Sequence, residues 1–339
     1  MNTDTKFISA FIRGSDILSL LRVFASLRLC VRIYPVHPPA NLERARELPY
    51  PPKLMNVVKT IRDARREREK LDRLALVPTM GALHAGHLSL IEHARKHATS
   101  VAVSIFVNPT QFGAREDFSK YPRPIKEDLA KCEAAGVDLV FQPTADEMYR
   151  PDVPDIVVDI PSLSSVLEGK HRPGHFKGVC QAVSKLFNVL TPDAACFGEK
   201  DFQQLRILTA MVQALDWPIE IVPVPTLREP DGLAMSSRNQ YLSADERTRA
   251  LSIPRGLTQA KQLVADGIKQ TNRLLATMQH TVLDVGKLGK IPMSVDYVAA
   301  VDPMTLKPVE TVTGPMVLAV AARVGSTRLI DNMRVEPPR

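Results

Sequence analysis

The chain has little cysteine: four residues in 339, at Cys30, Cys132, Cys180 and Cys196. No two of them fall at metal-ligand spacing, which argues against a structural zinc. Scattered thiols in a chain of this length point to a reducing compartment, the cytoplasm, and not to a disulfide framework. Long apolar runs are also lacking. No stretch of about 18 uncharged apolar residues occurs, so no transmembrane helix and no stable membrane association is expected. Internal repeats and low-complexity tracts are absent. Net charge is small once its distribution is read. The total is +7, of which eight basic and four acidic side chains give residues 1–54 +4, leaving +3 for the other 285. So mild a basic excess suits an anionic small substrate and gives no reason to invoke nucleic acid.

What is present is ordinary globular material, 45% hydrophobic and 24% charged, in a length that suits about two domains. Residues 1–54 differ from the rest. Phe7 to Tyr34 is rich in Leu, Ser and Arg, with Asp16 its only acid. That composition reads as an organelle-targeting presequence, an interfacial amphipathic helix, or a disordered stretch upstream of the functional start at Met55. Pro38, Pro39, Pro51 and Pro52 make the segment that follows an extended linker. The boundaries expected are an extension at 1–54, a nucleotide-binding catalytic domain at 55–224 and a second domain at 225–339.

The chain is organised around Val77-Pro78-Thr79-Met80-Gly81-Ala82-Leu83-His84-Ala85-Gly86-His87. Leu74–Val77 before it reads as a buried strand and Leu88–His97 after it as an amphipathic helix. Two histidines therefore sit at a strand-to-helix turn. Gly81 and Gly86 allow close backbone approach, and the helix N-terminus offers N–H groups and a positive dipole end. A polyphosphate needs this geometry. Two histidines three apart are by themselves a common helix-edge pair.

Three further stretches bear on the same chemistry. The apolar run Val101–Val107 reads as a buried parallel strand and ends in Asn108-Pro109-Thr110-Gln111-Phe112-Gly113. Asn108 and Gln111 are neutral, bidentate groups suited to hydroxyls and a carboxylate. Ala194–Phe197 feeds Gly198-Glu199-Lys200-Asp201-Phe202-Gln203-Gln204, where Asp201 is expected to cap a helix and Lys200 and Gln204 to face a ligand. Met235-Ser236-Ser237-Arg238 can donate several hydrogen bonds to phosphate oxygens. Between these, Asn56–Leu71 reads as a basic helix with a solvated face. Helices are expected at Glu127–Ala135, Val179–Leu190 and from a capping box at Ser243–Glu246, and strands at Val137–Gln142, Ile156–Ile160, Ile219–Val224, Ser294–Val301 and Met316–Val324. Residues 167–178, with Lys170, His171, Arg172, His175 and Lys177, read as an exposed loop, either anion-contacting or merely solvated. Cys196 reads as core.

His84-Ala85-Gly86-His87 resembles the phosphate-binding signature of the nucleotidyltransferases. Taken together and in order, the four motifs resemble the pantoate–β-alanine ligase family, from about Met55 to the ending Thr327-Arg328-Leu329-Ile330-Asp331-Asn332. The resemblance implies an α/β fold: a Rossmann-like doubly wound parallel sheet followed by a smaller α+β C-terminal lid domain, in a homodimer. It implies adenylation of (R)-pantoate by ATP with Mg²⁺, then attack of β-alanine on the pantoyl-adenylate. By the same resemblance Met80, Gly81, Ala82, Leu83, His84, Ala85, Gly86 and His87 bind ATP, with His87 and His84 catalytic. Gly198, Glu199, Lys200 and Asp201 bind ATP, Leu227 meets the adenine, and Met235, Ser236, Ser237 and Arg238 clamp the triphosphate. Lys200 and Arg238 join the histidines as catalytic donors. Gln111, Gln204 and Asn108 hold pantoate and β-alanine. No protein metal site and no covalent intermediate is implied. A cytidylyl- or nicotinamide-nucleotide adenylyltransferase would share the two histidines but not the Gln111 and Gln204 pair. A class I aminoacyl-tRNA synthetase would need a larger, more basic body. A scaffold without catalysis would show a damaged motif.

Overall fold

Alternate residues of each central strand bury against opposite helical layers, and this sets the architecture. The computed structural model describes residues 54–113, 116, 118–284 and 291–338. Six strands, β1 (Asn56–Val58), β2 (Leu74–Thr79), β3 (Ser100–Ile105), β4 (Leu139–Phe141), β5 (Ala194–Gly198) and β6 (Glu220–Val224), form one parallel sheet. Its order is β1-β4-β3-β2-β5-β6. Leu74 and Leu76 of β2 join the core on one face, while Ala75 and Val77 join the core on the other. Continuous apolar runs are what a strand covered on both faces requires.

Helices α1 (Ile61–Arg68), α4 (His175–Leu190) and α5 (Phe202–Ala214) supply the first face. Helices α2 (Ala85–His97) and α3 (Ile125–Ala134) supply the second. The chain runs outward from β2 through β3 to β4, then crosses to β5 and β6 on the other side of β2. Such a reversal opens a crevice at the carboxyl ends of the central strands.

After residue 224, α6 (Ala244–Ala250), α7 (Ser252–Ala265) and α8 (Thr271–Leu283) pack on an antiparallel sheet of β7 (Met293–Val301), β8 (Met316–Val324) and β9 (Thr327–Val335). The capping box at Ser243 and Glu246 starts α6 as expected. The doubly wound sheet with a small C-terminal α+β domain is thus present, and no helix among the described residues is long and apolar enough to cross a membrane.

Several expectations need correction. Asn56–Leu71 is not one helix: Val57 and Val58 pair with β4 as an edge strand, and Thr60 then caps α1 by accepting the Asp63 N–H. The charged face is solvated at Arg62 and Arg66, but Arg68 folds back onto the carbonyls of Leu190 and Leu71. Ile156–Ile160 forms no strand, and Ile156 and Val157 are 64% and 70% exposed. The final strand β9 is an addition to the expected elements, because Arg328, Asp331 and Asn332 break its apolar alternation. The reading of residues 1–53, including Cys30, lies outside the described residues.

Candidate active site

Beyond β2 the chain turns through Gly81 (φ +82°) and Ala82 (φ +51°). A side chain at Gly81 would run into the Asp128 carboxylate, 3.0 Å from an added Cβ. Asp128, fully buried on α3, accepts the N–H groups of Ala82 at 2.8 Å and Leu83 at 2.7 Å. Lys131, one turn later, donates to the Leu83 carbonyl at 2.7 Å. The main chain of this turn is therefore clamped to α3, and Leu83 points into the core. Gly81, Ala82, Leu83 and Ala85 do not line the cleft, whereas Met80, His84, Gly86 and His87 do.

The two histidines close the N-terminus of α2 on each other. His84 Nδ1 accepts the Gly86 N–H at 3.1 Å, and His87 Nδ1 accepts the His84 N–H at 3.3 Å. Their rings lie 4.1 Å apart. Burial, followed by the Lys200 ammonium, lowers His84 to about 4. Burial, followed by His84 itself, lowers His87 to about 3. Both imidazoles are neutral at neutral pH. Since each Nδ1 accepts, the proton of each sits on Nε2, and the pair can offer two N–H donors without adding charge.

The end of β3 supplies Asn108 and Gln111. Asn108 borders the cleft but its carboxamide is committed internally. It donates to Gln111 Oε1 at 3.1 Å and the Gly178 carbonyl at 3.0 Å, and accepts from the Thr110 and Tyr149 hydroxyls at 2.9 and 2.7 Å. Gln111 Nε2 donates to the Met80 sulfur at 3.0 Å. The Met235 sulfur likewise accepts the Gly86 N–H, at 3.2 Å. Thioether sulfur is a weak acceptor, so both donors are held lightly.

The end of β5 supplies Gly198, Lys200 and Asp201, with Gln204 on the first turn of α5; all four line the cleft, while Glu199 does not. Asp201 holds the N-cap position of α5 but makes no capping bond; its carboxylate lies 3.4 Å from the Lys200 ammonium instead. Burial pushes that carboxyl up, and Lys200 together with Arg238 more than offsets it, leaving it below its ordinary value. The last strand of the C-terminal sheet reinforces this turn. Asn332 Nδ2 donates to the carbonyls of Glu199 and Lys200 at 2.9 and 2.8 Å. Its neighbour Asp331, 3% exposed, takes a two-pronged ion pair from Arg228. Neither Asn332 nor Asp128 has a task in the reading of the sequence alone.

Leu227 and Met235–Arg238 form the remaining wall. The Met235 N–H donates to the Leu227 carbonyl at 3.0 Å, and Ser236 Oγ accepts the Arg238 N–H at 3.3 Å. The cleft these walls enclose has a volume of about 250 Å³. Cys196 touches its floor, but burial pushes the thiol up to about 12. It is inert core, as expected.

Residues 167–178 are not the exposed loop expected. Glu168–His171 is a single helical turn, and α4 begins at His175. Glu168, His175, Phe176 and Gly178 are buried. Lys170, His171 and Lys177 stay exposed, but Glu168 and Arg172 are paired at long range. Arg328 pairs with Glu168 through two bonds of 2.6 and 2.8 Å, and Tyr297 donates to the same carboxylate. Arg172 pairs with Glu116 through two bonds of 2.7 Å. His175 accepts from Arg172 at Nε2 (3.0 Å) and donates from Nδ1 to the Gln111 carbonyl (2.8 Å). Burial, then the Arg172 charge, lowers His175 to about 4.

Comparison with known proteins bears on these walls together. Residues 53–334 match the family model described as pantoate-beta-alanine ligase. The pantothenate synthetase of Thermobifida fusca is 50% identical over 284 residues, covering 82% of this chain and 94% of that protein. The crystal structure of pantothenate synthetase from Thermus thermophilus superposes with a TM-score of 0.78 at 41% identity, over 84% of this chain and 100% of that one. The Francisella tularensis pantoate-beta-alanine ligase, solved with beta-gamma ATP and β-alanine, gives 0.67 at 31% identity, over 83% and 97%. The chain belongs to the pantoate–β-alanine ligase family.

Proposed function

We propose that the chain joins (R)-pantoate to β-alanine in two steps at this cleft, forming pantoyl-adenylate and pyrophosphate from ATP, then pantothenate and AMP. One observation carries the assignment of residues. Four motifs far apart in sequence leave the carboxyl ends of β2, β3 and β5 and the loop after β6, and meet around a single cleft. That is where a doubly wound sheet binds nucleotides.

In the first step the pantoate carboxylate attacks the α-phosphorus, and negative charge grows on the phosphate oxygens. His84 and His87 meet that charge as neutral Nε2–H donors, and Lys200 and Arg238 meet it as cations. Phosphate oxygens replace the Met235 sulfur at the Gly86 N–H, exchanging a weak acceptor for a charged one. Gln111 and Gln204 hold the pantoate, with Asn108 orienting Gln111 from behind. Among the described residues no cluster of three histidine, cysteine or carboxylate groups is placed to hold a metal ion. Asp201 is an acidic side chain lining the cleft, and it would reach an Mg²⁺ carried on the phosphates of ATP. Bound there, Mg²⁺ neutralises phosphate charge.

In the second step the β-alanine amine attacks the acyl carbon and AMP leaves. Residues 55–224 and 225–339 act as two domains, and closure of the second excludes water from the anhydride. The bonds from Asn332 to the Lys200 turn support such coupling. The buried free thiols of Cys132, Cys180 and Cys196 support a cytoplasmic setting, and the exposed Ile156 and Val157 support a homodimer.

The test is product formation from ATP, (R)-pantoate and β-alanine. Pantothenate and AMP should appear in equal amounts and vanish when any one substrate is left out. AMP formation that ignores pantoate would overturn the reading.

A further inference from the structure

The segment from Glu168 to Gly178 carries an arginine that the mechanism above leaves unused. We propose that Arg172 is the receptor for the carboxylate of β-alanine, and that Glu116 fills this receptor until the substrate arrives. The inference rests on the ligase reading.

Of the three substrates, only β-alanine keeps a free carboxylate through both steps. The pantoate carboxylate becomes the anhydride, and ATP brings phosphates. In the coupling step the amine lone pair forms the C–N bond, the acyl C–O bond to phosphate breaks, AMP departs with that electron pair, and the new amide sheds one proton to water. The β-alanine carboxylate takes no part and must be held elsewhere, without a covalent bond.

Arg172 has the right form and place. Its guanidinium is a planar fork that matches a carboxylate, and its side chain is 14% exposed. The fork is filled by a carboxylate now: both oxygens of Glu116 accept from it at 2.7 Å. Glu116 comes from the connection between β3 and α3 and is itself 24% exposed, so it reaches in from the rim. Arg172 borders the same cleft as Gln111, Lys200 and Gln204. One imidazole, that of His175, bridges it to the Gln111 carbonyl. That bridge puts the fork beside the Gln111 turn, where pantoate is held, and the fork also shares a pocket with Ser236 and Arg238. The backbone fixes this relation. A Cβ on Gly178 would collide with the backbone of Thr110 and Gln111, so the start of α4 is seated directly on the Gln111 turn.

The experiment compares two nucleophiles, β-alanine and n-propylamine, which lacks the carboxylate. The ratio of their kcat/KM values is measured in the natural chain, in Arg172→Gln and in Glu116→Gln. Arg172→Gln should lower the ratio by about 10- to 100-fold, the scale of a charge-assisted pair of hydrogen bonds. Glu116→Gln, which removes the competing charge, should lower the KM for β-alanine several-fold. If Arg172→Gln reduces both nucleophiles equally and leaves the ratio unchanged, the arginine is structural and the proposal fails. A higher KM for β-alanine in Glu116→Gln overturns the stand-in role. Pantoate-dependent exchange of pyrophosphate into ATP by the natural chain, without β-alanine, is read in parallel. Its absence would refute the ligase reading, a failure distinct from an unchanged ratio.

Discussion

Two helix beginnings hold the three histidines of this cleft, and they use them in opposite tautomers. At α2, His84 and His87 accept main-chain N–H groups at Nδ1 and so carry their protons on Nε2. At α4, His175 gives its Nδ1 proton to the Gln111 carbonyl and accepts from Arg172 at Nε2. Burial lowers all three alike. The difference lies in what backbone stands beside Nδ1. An N–H there makes the ring a donor to whatever enters the cleft. A carbonyl there makes it an internal bridge that aligns an arginine. Depressed basicity alone therefore does not assign a role; the neighbour of one nitrogen does.

The sharpest way to break this contrast is to remove one ring from each site. His87→Ala should slow adenylate formation, followed as pyrophosphate exchange, by a factor on the order of 10² or more, the scale of losing one oriented donor. His175→Ala should fall mainly on the coupling step, followed as pantothenate release. Equal losses in both assays for both variants would erase the distinction.

Next in size is the clamp behind the α2 turn. Asp128→Ala leaves the buried N–H of Leu83 and the half-buried N–H of Ala82 without their acceptor. It should lower stability by about 3 kcal/mol in denaturant unfolding. An unchanged midpoint would show that the turn holds itself.

Acid titration tests the shared property. A histidine kept neutral in the fold takes its proton only in the unfolded chain as the pH drops below about 6.5, so stability falls with falling pH. The loss should run from about pH 6.5 down to the folded values near 4, and then 3 for His87. His175→Asn should flatten that slope by about one proton. A flat stability curve between pH 6.5 and 4 would contradict the neutral cluster. The smallest effect expected is for a chain beginning at Met55, whose activity should stay within about twofold of the full chain, since every residue placed around the cleft lies beyond it.

Much of this is legible in sequence, and the reasons are specific. Strands buried on both faces must be apolar throughout, which exposes β2, β3 and β5. The residues just past their ends stand out because histidine, glutamine and lysine are poor strand material. Asp128 stays hidden because an acid in the first turn of a helix is ordinary, and nothing nearby in sequence marks the two N–H groups it serves. The segment at 167–178 misleads for a related reason. Its charges look solvated until Arg328, 160 positions from Glu168, closes the pair. Likewise β1 has only three residues, too few for an alternation to show.

Asn332 ties the Lys200 turn to the last strand of the chain. During synthesis on a ribosome, the parallel sheet is complete once residue 224 has emerged, more than a hundred residues before that asparagine. At that point the Lys200 turn lacks its tie to Asn332, and the core on the α4 and α5 face of the sheet lacks Val301, Leu306 and Val317. The Lys200 turn therefore gains its last two hydrogen bonds only when the final strand has been made.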